Sequence, residues 1–225
     1  MDRDALKRSA AEAALDYIDP EAVIGVGAGS TVAAFIRALA VAGRRPKAAV
    51  PASERTRALL DAHGVTVVGL SDDRVPLSLY VDGADEADAD LRLLKGAGGA
   101  LAREKVLASA SDLFVCIVDE TKLAAHLGTA PLPVEVLPMA LYYVCHTLRG
   151  MGGMPRLREG FESDNGNLLL DVRGLDFDDP DELEDRLNAI PGVVECGLFS
   201  HLRPDVLIVG TQGGARVIRR PGHPA

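Results

Sequence analysis

Tryptophan is absent from the 225 residues, and phenylalanine and tyrosine bring the aromatic share to only 4%. A core must therefore be built from Ala, Val, Leu and Ile. Lysine is scarce too: Lys7, Lys47, Lys95, Lys105 and Lys122 are all there are, and arginine carries the remaining positive charge. No apolar run approaches the ~20 residues that span a bilayer. The opening MDRDALKRSA is charged and helical in character rather than signal-like. These absences lead to the expectation of a cytoplasmic protein without a membrane partner. A net charge of −9 with no basic stripe speaks against nucleic acid. It does not speak against a phosphorylated small molecule, because a locally positive pocket can sit inside an acidic protein. Cys116, Cys145 and Cys196 are odd in number and widely spaced, and are expected to be reduced thiols. The five histidines are scattered, with neither HxxxH nor HExxH spacing, so no metal is expected.

What is present reads as an ordinary folded chain, 48% hydrophobic and 25% charged. Leu6, Ala10, Ala13, Ala14 and Tyr17 recur at helical spacing and predict an opening helix that stops before Pro20. Strands are expected at 22–26, 47–50, 65–70, 77–81, 91–94 and 113–118. Helices are expected at 31–42, with Ser30 as N-cap, from Ser53-Glu54 to about 63, and at 99–110. Alternating helices and continuously apolar strands predict a mostly parallel sheet covered on both faces. After the proline-rich stretch TAPLPVEVLP the style changes. Strand 134–137, helix 139–148, strands near 155–158 and at 167–172, helix 180–189 and strand 193–198 follow. That βαββαβ order is ferredoxin-like. A last run, 206–209, is placed so that it can rejoin the first sheet. The expected domains are 1–128 plus 203–225, a large α/β unit, and 129–202, a small α+β unit inserted near the C-terminal end.

Three clusters fall where strands of the large sheet should end, which is where ligands bind in open α/β sheets. Gly25-Val26-Gly27-Ala28-Gly29-Ser30-Thr31 joins a strand to a helix N-terminus. Its amides and hydroxyls suit an anion, although a tight turn before a capped helix explains the same residues. It is neither a phosphate-binding GK[ST] loop nor a full GxGxxG fingerprint. Val81-Asp82-Gly83-Ala84-Asp85-Glu86 puts three carboxylates after an apolar strand, either as a solvated turn or as acceptors for substrate hydroxyls; metal ligation is a third option, but no His or Cys lies nearby. Lys95-Gly96-Ala97-Gly98-Gly99-Ala100, followed by Arg103-Glu104-Lys105, offers an ammonium, loop amides and a helix start for an oxyanion. Glu104 alone also fits a solvated first-turn glutamate favoured by the helix dipole. Three of the few lysines, Lys95, Lys105 and Lys122, lie in or beside these segments. An ammonium has donor geometry and pKa mobility that arginine lacks.

Taken together the segments resemble the ribose-5-phosphate isomerase A family. The resemblance runs through Gly25–Thr31, VDGADE at 81–86, KGAGGALAREK at 95–105 and DETK at 119–122. It continues through PLPVEVLPMA at 131–140, SDNGNLLLDV at 163–172 and NAIPGVVECGLF at 188–199, in order and over nearly the whole chain. It implies reversible isomerisation of ribose 5-phosphate and ribulose 5-phosphate through an enediolate, in the non-oxidative pentose phosphate pathway. The implied fold is a Rossmann-like three-layer domain with a smaller ferredoxin-like one. Glu104 is implied as the base that moves a proton between C2 and C1. Asp82, Asp85 and Lys95 are implied to hold hydroxyls and carbonyl and to help open the sugar ring. Lys7, Ala28, Gly29, Ser30, Thr31, Gly83, Ala84, Gly96, Ala97, Gly98, Gly99 and Lys122 complete the implied substrate and phosphate site. No cofactor and no metal are implied, and a homo-oligomer, dimer or tetramer, is.

Two positions depart from the family pattern. Ala28 stands where relatives have threonine in GTGST, which removes a hydroxyl. Ala97 stands in a loop often written KGGGG, which reduces backbone freedom there. Both are expected to change affinity more than reaction type. Two rival readings are a sugar-phosphate deaminase or CoA-transferase-like enzyme, and a non-catalytic sugar-phosphate sensor. The family motifs oppose the first. The lack of room for a DNA-binding domain, and an acid-base set without purpose in a pure binder, oppose the second.

Overall fold

The computed structural model describes residues 2–222. Met1 and residues 223–225, assigned above to the large domain, lie outside them. The chain divides into two compact units. The first takes in the chain up to Ala84, Arg103–Leu123 and the chain from Pro204; the second is Asp85–Ala102 with Ala124–Arg203.

In the first unit α1, Arg3–Ala14, opens on the side chain of Asp2, which accepts from the amides of Asp4 and Ala5. It buries Leu6, Ala10, Ala11 and Ala14. The strand β1, Val23–Val26, leads into α2, Ser30–Ala42. Gly29 rather than Ser30 takes the cap position, at φ 103°, and Ser30 is the first helical residue. Next come β2, Ala48–Pro51, and α3, Glu54–Ala62, capped by the hydroxyl of Ser53 on the Thr56 amide. The strand expected at 65–70 reduces to a single bridge between Ala49 and Val67. There the amide and carbonyl of Ala49 are both paired, and the segment then leaves the sheet. The strand β3, Leu79–Asp82, ends the first stretch of this unit.

The chain then enters the second unit with β4, Glu86–Ala87, and β5, Leu93–Leu94. The helix α4, Leu101–Ser109, begins there and returns the chain to the first unit, where β6, Phe114–Asp119, is buried along its whole length. A 3-10 turn, Glu120–Lys122, follows. In the second unit come β7, Leu132–Val136, α5, Leu141–Gly150, β8, Met154–Leu157, β9, Leu168–Arg173, α6, Pro180–Asn188, β10, Val193–Cys196, and β11, Leu198–Phe199. The first unit closes with β12, Val206–Thr211, and β13, Gly214–Arg219.

The six-stranded sheet of the first unit runs β13-β12-β6-β3-β1-β2 and is parallel except for the edge strand β13. The run at 206–209 does rejoin it, pairing with β6. Ile24, Val26, Val81, Val115, Ile117 and Ile208 form the strand side of its core, with Phe35, Ile36 and Leu39 from α2. The second unit has an antiparallel sheet ordered β10-β7-β9-β8. With α5 after β7 and α6 after β9, this is the ferredoxin-like arrangement. Val134, Val136, Leu170 and Val172 pack there on Val144, Leu148, Leu183 and Leu187. A small sheet, β11-β5-β4, belongs to the same unit. The pairing of β5 with β11, and of β4 with β5, is why segment 85–102 goes with the second unit. The chain changes units at 84/85, 102/103, 123/124 and 203/204, whereas the sequence reading sets its boundaries at 128/129 and 202/203.

Candidate active site

Asp82 is the last residue of β3 and is fully buried. A buried carboxylate persists only when its lone pairs are met. Its Oδ1 accepts from the amides of Ala28 at 3.0 Å and Gly83 at 2.7 Å, and its Oδ2 accepts from the Tyr80 hydroxyl at 2.5 Å. The first cluster and the second are thus joined through one carboxylate. Gly27 makes this approach possible, since a Cβ there would lie 1.9 Å from the Asp82 carboxyl carbon. The contact at residue 28 comes from its backbone, so replacing threonine by alanine leaves it intact. Gly29, Ser30 and Thr31 follow directly, and Gly29 and Ser30 are exposed at the helix start. The helix start therefore presents both amides and a hydroxyl, the composition that suits a phosphate.

Tyr80 was not singled out by the sequence reading. It lies two residues before Asp82 on the same strand and so on the same face. It is fully buried. Burial first, and then the negative charges of Asp82 and Glu104, hold its hydroxyl well above the usual tyrosine range, so it stays protonated and donates. Both carboxylates act on this one phenol, which places them in the same neighbourhood of the first unit. Glu104 stands in the first turn of α4 and is 3% exposed. It is therefore not the solvated surface glutamate that its position alone permits. Its neighbour Arg103 donates to Glu54 Oε1 at 3.1 Å, tying the start of α3 to this turn.

Lys122 lies in the turn after β6. Asp119 caps that turn, accepting from the Thr121 amide at 3.0 Å and from the Thr121 hydroxyl. Arg3 donates to the Thr121 hydroxyl at 2.9 Å, and so fastens the first turn of α1 to the turn bearing Lys122. Lys7, one turn further along α1, is mostly buried and lies 3.8 Å from the exposed Asp4 carboxylate. Among the described residues neither Lys7 nor Lys122 bonds to Asp82 or to the Gly29–Thr31 segment.

In the second unit Lys95 follows β5 and is 2% exposed. Its amide donates to Gly197 O at 2.8 Å, and its ammonium lies 5.3 Å from the centre of the Phe199 ring, a cation–π distance. The loop then turns on Gly96 at φ 94° and Gly99 at φ 82°. Ala97 is not among the positive-φ residues, so its methyl introduces no backbone strain there. The Ala97 amide donates to Asp85 Oδ2 at 2.9 Å, which joins the second cluster to the third within this unit. Ala97 and Gly98 are exposed, while Gly96 and Gly99 are buried. Gly83 and Ala84 are half-buried links between Asp82 and Asp85.

The three cysteines are not in disulfides; Cys116 and Cys196 are buried and Cys145 is half-buried. Among the described residues no three His, Cys, Asp or Glu side chains cluster as metal ligands would. No described helix is long and apolar enough to cross a membrane.

Comparison with known proteins identifies the family. Residues 48–214 match the family model for ribose 5-phosphate isomerase A (phosphoriboisomerase A). The ribose-5-phosphate isomerase A of Bordetella petrii is 51% identical over 220 residues, covering 96% of this chain and 97% of its own. The crystal structure of ribose 5 phosphate isomerase A from Neisseria gonorrhoeae superposes with a TM-score of 0.94 at 45% identity, covering 97% of each chain. A D-ribose-5-phosphate isomerase solved in complex with phospho-erythronic acid superposes with a TM-score of 0.92 at 36% identity, covering 98% of this chain and all of that one. The chain belongs to the ribose 5-phosphate isomerase A family.

Proposed function

We propose that Glu104 is the group that moves the proton in this chain's reaction. Family membership makes that reaction the reversible isomerisation of ribose 5-phosphate and ribulose 5-phosphate, a step of the pentose phosphate pathway. The hydrogen on C2 of the open-chain aldose is weakly acidic because the carbonyl at C1 can accept the electron pair. The Glu104 carboxylate takes that proton, the pair moves toward O1, and an enediolate forms. A proton passes between O1 and O2, and the Glu104 carboxylic acid returns its proton to C1, leaving the carbonyl at C2. The observation that carries this assignment is the burial of a carboxylate, Glu104, in the first turn of α4, in the unit that also holds Asp82.

In this reading Asp82 and Asp85 accept from substrate hydroxyls, and assist ring opening by fixing the protons of O1 and the ring oxygen. Lys95 and the amides of Gly96–Gly99 offset the enediolate charge, and a donor so placed is typically worth ~3–4 kcal/mol. The amides and hydroxyls of Gly29, Ser30 and Thr31, with Lys7 and Lys122, take the phosphate. The phospho-erythronic acid held by the related isomerase is a phosphorylated sugar acid, whose carboxylate has the charge an enediolate develops. A homo-oligomer, dimer or tetramer, is the assembly we assign. The exposed Met139, Tyr142 and Tyr143 at the start of α5 supply apolar surface for it, and gel filtration with light scattering tests it. The location we assign is the cytoplasm.

The test is Glu104→Gln, which keeps shape and removes the base. A fall in kcat of about 10³-fold with substrate binding retained is expected. Isomerisation in D2O should place deuterium on the transferred position in the parent and none in the variant. Retention of more than about a tenth of the parental kcat would remove Glu104 from the base role. Activity unchanged by EDTA is the companion expectation.

A further inference from the structure

Arg158 holds the loop that carries Lys95, and it does so from an independent part of the second unit. It follows β8 directly, and its amide donates to Leu169 O at 2.9 Å, so its backbone is fixed to β9. Its Nε–H and Nη2–H form a fork on the carboxylate of Asp171, itself on β9. The remaining arm, Nη1–H, donates to Ala97 O at 2.8 Å. The guanidinium lies 5.3 Å from the centre of the Phe161 ring. That ring fills the space beside Gly99, where a Cβ would come within 2.1 Å of it. The Ala97 residue is thus held at both ends, its N–H by Asp85 and its C=O by Arg158. A surface ion pair needs only two partners. Here one planar group makes contacts in three directions, which an ammonium does not reproduce.

We infer that Arg158 is a positioning residue of the isomerisation, setting the orientation of the Gly96–Gly99 amides and the exit angle of Lys95. The inference rests on the reading that this loop serves the substrate. Loop amides aid a developing oxyanion only when they are aimed at it beforehand, and misplacement by about 1 Å can cost 10²-fold. Asp171 is the anchor of the device. Phe161 is its stop, because it keeps the Gly99 turn from swinging outward.

The test measures Arg158→Met, Arg158→Lys, Asp171→Asn, Lys95→Met and the Arg158→Met/Lys95→Met pair, with circular dichroism and melting to confirm folding. For Arg158→Met a fall in kcat of roughly 10- to 100-fold is expected, with KM moving less than about threefold. Affinity for phospho-erythronic acid should fall in step with kcat/KM, while inhibition by inorganic phosphate stays unchanged. Arg158→Lys should recover part of the loss, and Asp171→Asn should cause a smaller loss of the same kind. Because Arg158 acts partly through Lys95 and partly through the loop amides, the loss in the double variant should be smaller than the two single losses multiplied together. A folded Arg158→Met enzyme with kcat within about twofold of the parent would overturn the inference, as would losses that add in full. If Arg158→Met does not fold, Arg158→Lys and Asp171→Asn decide, and parental kinetics in both would overturn it. Full activity in Lys95→Met would instead overturn the reading of the loop, which keeps the two failures distinct.

Discussion

Asp82 and Glu135 are two fully buried carboxylates on strands, each gripped by at least three donors, and they do different work. Asp82 ends a parallel strand, and its donors divide between its two oxygens: two amides from strand-end loops and one phenol. Glu135 lies inside the antiparallel β7. The Ser163 hydroxyl, the Asn165 amide and the Asn167 amide all converge on its Oε1, at 2.7, 3.0 and 2.8 Å. Its Oε2 is buried with no hydrogen-bond partner among the described residues. The first carboxylate is held by backbone of the loops that follow β1 and β3, which we propose to face the substrate; the second is a fastener for the 163–167 turn. Equal burial and similar bonding therefore do not identify a functional carboxylate, and position at the end of a parallel strand only narrows the candidates, to Asp82 and to Asp119, which caps the turn after β6.

The sharpest way to break this comparison is to remove each charge in turn. Asp82→Asn keeps an acceptor for the two amides, so the fold should melt within a few degrees of the parent. Turnover should fall by about 10²-fold or more, because the fixed negative charge beside the substrate is gone. Glu135→Leu should do the reverse. It strands three donors in the second unit, and urea unfolding should show a loss of about 3 kcal/mol. Activity of the protein that remains folded should fall far less than in Asp82→Asn. Equal effects of the two variants on turnover would erase the distinction.

Gly27→Ala comes next, since it acts on Asp82 by volume rather than charge. The added methyl would occupy the carboxyl position, so either Asp82 or the loop must move. A stability loss of about 2 kcal/mol is expected, together with lowered kcat/KM. Gly29→Ala puts its methyl in open space and meets only the cost of φ 103°, so it should spare the seat of Asp82. Comparing the two variants separates crowding of the carboxylate from strain in the loop.

Much of this was legible in the sequence, for physical reasons. Strands buried on both faces write themselves as continuous apolar runs, and β1, β3, β6 and β12 were found that way. The ferredoxin-like order followed from alternating periods. The edge strand β13 was missed because GARVIR is mostly exposed and carries no alternation of apolar and polar faces. The run at 65–70 looked like a strand, but only Val65 in it is deeply buried and Leu70 is exposed, so its pairing stops after one bridge. Segment 85–102 was placed with the wrong neighbours in sequence, because its partner β11 lies about a hundred residues away. For the proposed site, residue types at strand ends marked Asp82, Asp85 and Lys95 as candidates, whereas Glu104 by itself also fitted a solvated helix start and its role was implied by the family resemblance. Tyr80 and Arg158 stayed hidden, because each acts through a contact that residue type does not predict.

Tyr80→Phe is the smallest and most exact probe of the comparison, since it removes one donor from Asp82 and leaves the two amides. The ring still packs 5.2 Å from that of Phe114, so the loss should be confined to the hydroxyl. A hydrogen bond to a charged group is worth about 1.5–3 kcal/mol, and kcat/KM should fall about tenfold. The pH dependence of stability supplies a second reading with a definite sign. Tyr80 is held above its ordinary value by burial and by the charges of Asp82 and Glu104. The unfolded chain therefore releases this proton first as pH rises. The contribution to stability is complete below about pH 10 and is lost progressively above it, up to the raised value in the folded chain. The parent should therefore lose stability above that point more steeply than Tyr80→Phe, with the other tyrosines cancelling in the difference. Parallel profiles would mean that the phenol is not under the influence of the two carboxylates. The case for Asp82 and Glu104 sharing one neighbourhood would then lose its main support.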